Sequence, residues 1–236
     1  MAYTLFISDL HLSPDHPEVT AALRRFVAEH ASRAAAVYVL GDLFEYWAGD
    51  DDLAEPFHGE VLALLRQLPG LHVMRGNRDV LLGEAAAWAM NATLLPDPCL
   101  IDLYGVPTLL THGDLLCTDD AAYQTYRQQV HDPLFQQNFL AKPLAERKDF
   151  IRQLRAQSEQ NKQQKSAAIM DVNAAAVADW LRQHGYPRLI HGHTHRPARH
   201  EHEVDAHRCE RWVLADWGAQ GMALRCDAEG CEVLRF

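Results

Sequence analysis

The sequence predicts an α/β protein with a mixed sheet, interrupted late in the chain by a helical insertion. Three observations lead there. Short apolar runs alternate with stretches of helical periodicity through the first ninety residues. Two β-like segments then flank a Tyr104-Gly105 turn, and residues 119–170 carry helical spacing with no strand signal.

Along the chain, Tyr3 to Ser8 reads as a short buried strand and Pro17 to about His30 as a helix. Ala36 to Leu40 is a second strand, completing a βαβ opening. Phe57 to Leu68 is helical and closes at Pro69-Gly70, before a strand over Leu71 to Met74. A helix over about Gly83 to Met90 follows, then a hairpin of Cys99–Leu103 and Val106–Thr111. The region 119–170 is dominated by Gln, Lys, Arg and Ala, with Leu134, Phe135, Phe139, Leu140, Leu144, Phe150, Ile151 and Leu154 at helical spacing. The main body therefore spans 1–118 and 171–236. It resumes with a helix over Val172 to His184, a strand at Arg188–His191, and strand segments near Val213–Ala215, Met222–Cys226 and Glu232–Leu234.

Composition bounds the function. At 48% hydrophobic and 23% charged over 236 residues, the chain is globular. A domain of this size buries roughly 70 to 75% of its unfolded surface, so it needs no disulfide or structural metal merely to fold. The five cysteines are odd in number and lack C-x-x-C pairs, so packed, reduced thiols are expected, including Cys209, Cys226 and Cys231. Asp9 and His11 interrupt the N-terminal apolar run, and no stretch is long enough to span a bilayer. A cytoplasmic location is the expectation. The net charge of −10 opposes nucleic acid as a partner and any general attraction to anionic lipid. A polyanionic substrate would need a local positive patch, and Lys142 to Lys165 supplies one, with seven basic residues against three acidic.

Five segments place metal-competent residues directly after an apolar run: Ser8-Asp9-Leu10-His11, Gly41-Asp42, Gly76-Asn77-Arg78-Asp79, Thr111-His112-Gly113-Asp114 and His191-Gly192-His193-Thr194-His195. Ligands of open α/β sheets gather at the carboxyl ends of strands, so loops distant in sequence can converge. Asp-x-His and His-x-His put two side chains on one side of an extended segment. Oxygen and imidazole donors without thiolate favour Mn²⁺, Fe²⁺, Zn²⁺ or Co²⁺ over Mg²⁺ or Ca²⁺ alone. Seven such groups are too many for one catalytic ion and suggest a pair, about 3.5 to 4 Å apart, of the kind that serves in-line displacement at phosphorus.

This ordered set resembles that of the calcineurin-like metallophosphoesterases over nearly the whole chain. The resemblance implies that family's fold: mixed sheets packed as a sandwich between helices (αββα). It implies a first metal held by Asp9, His11, Asp42 and His195, and a second by Asp42, Asn77, His112 and His193, with Asp42 bridging. The pattern departs from much of the family in one place that matters chemically. Where a histidine would protonate an alkoxide leaving group, this chain has Arg78, which cannot donate a proton near neutral pH. A phosphate monoester leaving group, with a second pKa of about 6, needs no such help. Arg78 suits charge stabilisation on phosphate oxygens instead, and the change favours a phosphoanhydride substrate.

Gly41–Glu45, Gly76–Asp79, His112–Asp120 and Ile169–Asn173 together are similar to the branch of that family that hydrolyses UDP-2,3-diacylglucosamine in lipid A biosynthesis. That resemblance implies UMP and 2,3-diacylglucosamine 1-phosphate as products, water attack at the α-phosphorus and two divalent ions, with Mn²⁺ expected. It makes 119–170 a lid over the acyl chains, on a monomer lying peripherally on the cytoplasmic face of the inner membrane. By motif position, the implied substrate contacts are Asn77, Arg78, Asp120, Tyr123, Ser158, Lys162, Lys165 and His193. The implied catalytic set is Asp9, His11, Asp42, Asn77, Arg78 and His112. His191 is read as packing behind the ligand pair, and His200, His202 and His207, alternating with Glu201 and Glu203, as a solvated strand face. The five tryptophans are read as packing. Two competing readings are a phosphoesterase of another nucleotide diphosphate or a phosphodiester, and a binding scaffold without catalysis.

Overall fold

A computed structural model describes residues 2–162 and 169–236. Two sheets stack face to face. The first has the order β11-β10-β1-β2-β3-β4, from β1 (Thr4–Ile7), β2 (Ala36–Leu40), β3 (Leu71–Met74), β4 (Thr93–Leu95), β10 (Met222–Asp227) and β11 (Gly230–Arg235). The second has the order β5-β6-β7-β9-β8, from β5 (Cys99–Leu103), β6 (Val106–Thr111), β7 (Arg188–His191), β8 (Ala198–Val204) and β9 (His207–Val213). Strands β1 to β4 run parallel, as do β6, β7 and β9, while β5, β8, β10 and β11 add antiparallel pairings.

Side-chain alternation explains the layering. In β1, Leu5 and Ile7 join a core with α1 (Pro17–Arg25, continued by a π-helical turn over Phe26–Ala31), α2 (Pro56–Leu65) and α3 (Glu84–Ala89). Phe6, pointing the other way, packs with Leu110, Ile190 and Leu214 between the sheets. The far face of the second sheet, with Leu109, Leu189 and Cys209, is covered by Val177 and Leu181 of α7 (Ala174–Gln183). The order is therefore α-β-β-α, as expected. Strands buried on both faces read as unbroken apolar runs, and for that reason β1 to β3 were plain in the sequence. Strands β8 and β9 were not legible at full length, because their outer positions are polar: β8 reads Ala-Arg-His-Glu-His-Glu-Val.

Helix starts follow local chemistry. Proline opens α1 and α2. Asp120, Asp132 and Asn173 cap α4 (Ala121–His131), α5 (Pro133–Leu140) and α7 by accepting from backbone N–H groups two or three residues on. With α6 (Leu144–Lys162), α4 and α5 form the helical stretch between β6 and β7. Among the described residues no helix is long and apolar enough to cross a membrane.

The cysteines require one correction. Cys226 and Cys231 are joined by a disulfide, while Cys99, Cys117 and Cys209 are free. The two lie directly opposite each other in the β10–β11 ladder, where facing Cβ atoms come within bonding reach. Spacing alone hid this, since two cysteines five positions apart become neighbours only once the hairpin forms.

The helical stretch is anchored on the first sheet's side by buried charge. Arg147 of α6, only 1% exposed, donates to the Ala48 carbonyl and pairs with Asp51, and Lys148 lies 2.6 Å from Asp52. Arg147→Ala leaves the Ala48 carbonyl without its donor, and we expect a loss of about 2–4 kcal/mol. Denaturant titration measures the loss. Limited proteolysis should then cut first within residues 119–162, and an unchanged digestion pattern would refute the anchoring.

Candidate metal centre

All five ligand-bearing segments leave the carboxyl ends of parallel strands on one side of the sandwich: β1, β2 and β3 in one sheet, β6 and β7 in the other. The backbone there is unusual. Asp9, His11, Asp42, His193 and His195 have φ of 55°, 50°, 52°, 68° and 55°. Each left-handed non-glycine residue costs about 1–2 kcal/mol, so surrounding bonds must hold it. Asp9 N–H donates to the Gly41 carbonyl (3.1 Å) and His11 N–H to the Asp42 carbonyl (3.0 Å). Trp217 N–H donates to the Asp9 carbonyl (3.1 Å). Two glycines permit the approach: a Cβ on Gly76 would overlap the Asp42 carboxylate, and one on Gly192 would overlap that of Asp9.

Two groups of donor atoms result, each with its atoms within 4.8 Å of one another: Asp9, His11 and His195, and Asp9, Asp42 and His112. The Nε2 atoms of His11 and His195 face each other at 3.5 Å. Asp42 lies between the groups, with Oδ2 3.9 Å from His11 Nε2 and Oδ1 3.7 Å from His112 Nε2. Asn77 Oδ1 is 3.1 Å from His112 Nε2, and the His193 ring stands edge-on to His112 with centroids 5.0 Å apart. All seven sequence-derived candidates thus come together, and Asp9 reaches into both groups beside the expected bridge, Asp42. Asp9 Oδ1 is buried and accepts no hydrogen bond of good geometry. Its other oxygen takes the Ser8 hydroxyl (2.6 Å) and the His193 N–H (2.9 Å). An orphaned carboxylate oxygen and facing imidazole nitrogens form a donor set that fits divalent cations.

Charge tells the same story. Burial would strip a proton from His112, but Asp42, Asp9 and Asp114 outweigh it and push the imidazole up to about 9. Burial likewise opposes the His195 proton, while Asp216 and Asp9 raise that group to about 10. Burial would raise Asp9, yet the His195 imidazole, 3.4 Å from its Oδ1, and the other surrounding imidazoles hold it well below the usual carboxylate range. A site that pulls protons onto imidazoles so strongly is one that would draw in metal cations.

Several supporting residues were not singled out from sequence. His112 Nδ1 contacts the Leu40 carbonyl (2.9 Å), leaving Nε2 for the cage. Glu45 meets His11 Nδ1 at 3.1 Å and Asp216 meets His195 Nδ1 at 3.4 Å. Asp79, fully buried, ties two ligand loops by accepting from Gly76, Leu43 and Phe44 N–H groups. Burial and the Asp42 charge push it up to about 6. Asp79, Asp114 and Glu45 lie inside the quoted motifs, which was the signal available, although their partners were not readable from it. Asp216 gave none, since its role needs tertiary proximity.

The other candidates spread more widely. The Arg78 backbone N–H donates to Asp42 Oδ1 (2.8 Å), and its Nε lies 4.0 Å from Asp42 Oδ2. Tyr123 hydroxyl donates to Asp114 (2.8 Å), and its ring is 5.7 Å from that of His193. Asp120 caps α4, and Ser158 is exposed on α6. Lys162 is the last residue of α6, and Lys165 lies outside the described residues. Arg155 reaches from α6 to the carbonyl (2.7 Å) and carboxylate of Glu45, linking the helical stretch to His11.

Comparison with known proteins agrees with this geometry. The model of the calcineurin-like phosphoesterase family matches residues 3–197. A protein of Aromatoleum aromaticum named UDP-2,3-diacylglucosamine hydrolase is 54% identical, covering 98% of this chain and 96% of its own length. Proteins of the same name from Chromobacterium violaceum and Edwardsiella ictaluri are 50% and 48% identical, over 97% and 99% of this chain and 97% and 92% of their own.

Two outcomes are expected. Metal-free His112 and His195 hold protons at neutral pH, and a cation must displace them. Affinity for Mn²⁺ should therefore climb from pH 6 to 8, by about tenfold per pH unit for each proton released. Titration calorimetry in buffers of different ionisation heat reads the release, and a pH-independent affinity would refute it. Gly76→Ala should reduce bound metal, measured by elemental analysis, more than it reduces helical content.

Proposed function

Since the chain belongs to the calcineurin-like phosphoesterase family, we propose that it hydrolyses the pyrophosphate bond of UDP-2,3-diacylglucosamine. The products are UMP and 2,3-diacylglucosamine 1-phosphate, a step of lipid A biosynthesis. The observation that carries this reading is the seven-residue donor cage with Arg78 at its edge, in a chain about half identical to full-length hydrolases of that name.

Asp9, His11, Asp42 and His195 would hold one divalent ion, and Asp42, Asn77, His112 and His193 a second. Mn²⁺ is our choice, as an ion suited to mixed oxygen and imidazole donors. When bound, the ions supply Lewis acidity and an acidified water. Water adds to the α-phosphorus, its proton leaves to solvent, and the bond to the bridging oxygen breaks, releasing the sugar 1-phosphate. That leaving group takes the electron pair as a phosphate anion and requires no general acid. Arg78 stabilises charge on the phosphoryl oxygens, positioned by its backbone bond to Asp42. Asn77, Asp120, Tyr123, Ser158, Lys162, Lys165 and His193 would line the path of the substrate.

Residues 119–170 act in this reading as a lid over the acyl chains. Leu134 (68% exposed), Phe150 (45%) and Leu140 (41%) offer apolar surface there, beside the basic run from Lys142. Such a face suits peripheral contact of a monomer with the cytoplasmic side of the inner membrane.

In ¹⁸O water, label should appear in UMP, and label confined to the sugar phosphate would exclude attack at the α-phosphorus. Arg78→His should lower kcat/KM for UDP-2,3-diacylglucosamine by about 10² or more while bound metal stays constant. Wild-type turnover in that variant would remove the leaving-group argument.

A further inference from the structure

A cavity of about 300 Å³ lies on the outer face of the second sheet, walled by Asp171, Thr194, Arg196, His200, Arg211 and Val213. It opens beside the metal cage, since Thr194 separates the cage residues His193 and His195 in sequence. In register, Arg211 of β9 stands between Leu189 of β7 and His200 of β8.

Arg211 is only 7% exposed, and its partners are two imidazoles: Nη1 lies 3.0 Å from His191 Nε2, and Nε donates to His202 Nε2 at 3.1 Å. A guanidinium only donates, so both imidazoles act as acceptors at these contacts and bring no negative charge. Among the described residues no carboxylate lies within ion-pair distance of this guanidinium. A buried cation with no carboxylate at contact distance is costly, and an anion in the cavity would relieve it. The one carboxylate in the wall, Asp171, is engaged by Arg196 Nη1 and by the Val172 N–H (2.8 Å). The Thr194 hydroxyl, also in the wall, is buried with no hydrogen-bond partner. The volume is at the lower end for small-molecule pockets, enough for a phosphate with an attached sugar-sized group.

We propose that this cavity is an oxyanion site for a phosphate monoester, with Arg211 as counter-charge and Thr194 and Arg196 as hydrogen-bond donors. The proposal goes beyond the reading above and stands whichever diphosphate the cage hydrolyses.

The test uses the full chain stripped of divalent ions, so that no metal in the cage attracts phosphate. Orthophosphate, UMP and glucosamine 1-phosphate are each titrated by calorimetry. Binding should weaken about fivefold in the near-isosteric Thr194→Val and more in Arg211→Gln. It should tighten in Asp171→Asn, which removes the competing charge and keeps the shape. Tighter binding of UMP than of glucosamine 1-phosphate assigns the site to the nucleotide side, and the reverse to the sugar side. No binding of any of the three at millimolar concentration overturns the proposal, as does affinity unmoved by both Thr194→Val and Asp171→Asn. Hydrolysis of UDP-2,3-diacylglucosamine by the metal-loaded protein is measured separately, so either reading can fail alone.

Discussion

The carboxylate of Asp9 is the point on which the two sheets agree. It is fully buried, and its backbone bonds to Gly41 after β2 and to Trp217 ahead of β10. One carboxylate oxygen takes the N–H of His193, from the loop after β7 in the other sheet. The second is left for the cage. Burying a charge this deeply is unfavourable unless hydrogen bonds and opposite charge offset it. The surrounding imidazoles do so, and a divalent cation held there would add to it, which makes the sandwich and the cage one construction.

Backbone strain follows from that constraint. Asp9, His11, Asp42, His193 and His195 all adopt left-handed conformations. At strand ends such turns redirect side chains inward within one or two residues, where an extended continuation would carry them past the site. Asp79 keeps two of the loops in place through three backbone N–H bonds. The glycines at 76 and 192 let backbone and carboxylate approach without collision.

The helical stretch is coupled to the same centre through Arg155, Glu45 and His11, while Arg147 fastens the start of α6 near Ala48. On the opposite side, Asp114 receives both Tyr123 and Arg127 of α4. Asp114 is held low, to about 2: burial alone would raise it, but His112, His193, Arg127 and the Tyr123 hydroxyl outweigh that cost. The described part of the region between β6 and β7 is therefore tied to both sides of the cage.

Strands β1 to β3, β6 and β7 and the seven cage residues were legible because each is a local matter: an apolar run followed at once by Asp, Asn or His. The disulfide, strand β4, the full lengths of β8 and β9, and the pairings made by Glu45 and Asp216 were not. The residues Cys226 and Cys231, or His195 and Asp216, are neighbours only through hairpin pairing and loop convergence. Sequence by itself thus specified the kind of chemistry, since donor type and order are written in the chain. Three-dimensional packing chose which carboxylate oxygen is left without a hydrogen bond, which imidazole nitrogen faces inward and which charges meet. Those properties depend on distances of 3 to 4 Å between segments more than a hundred residues apart, and no local pattern encodes them.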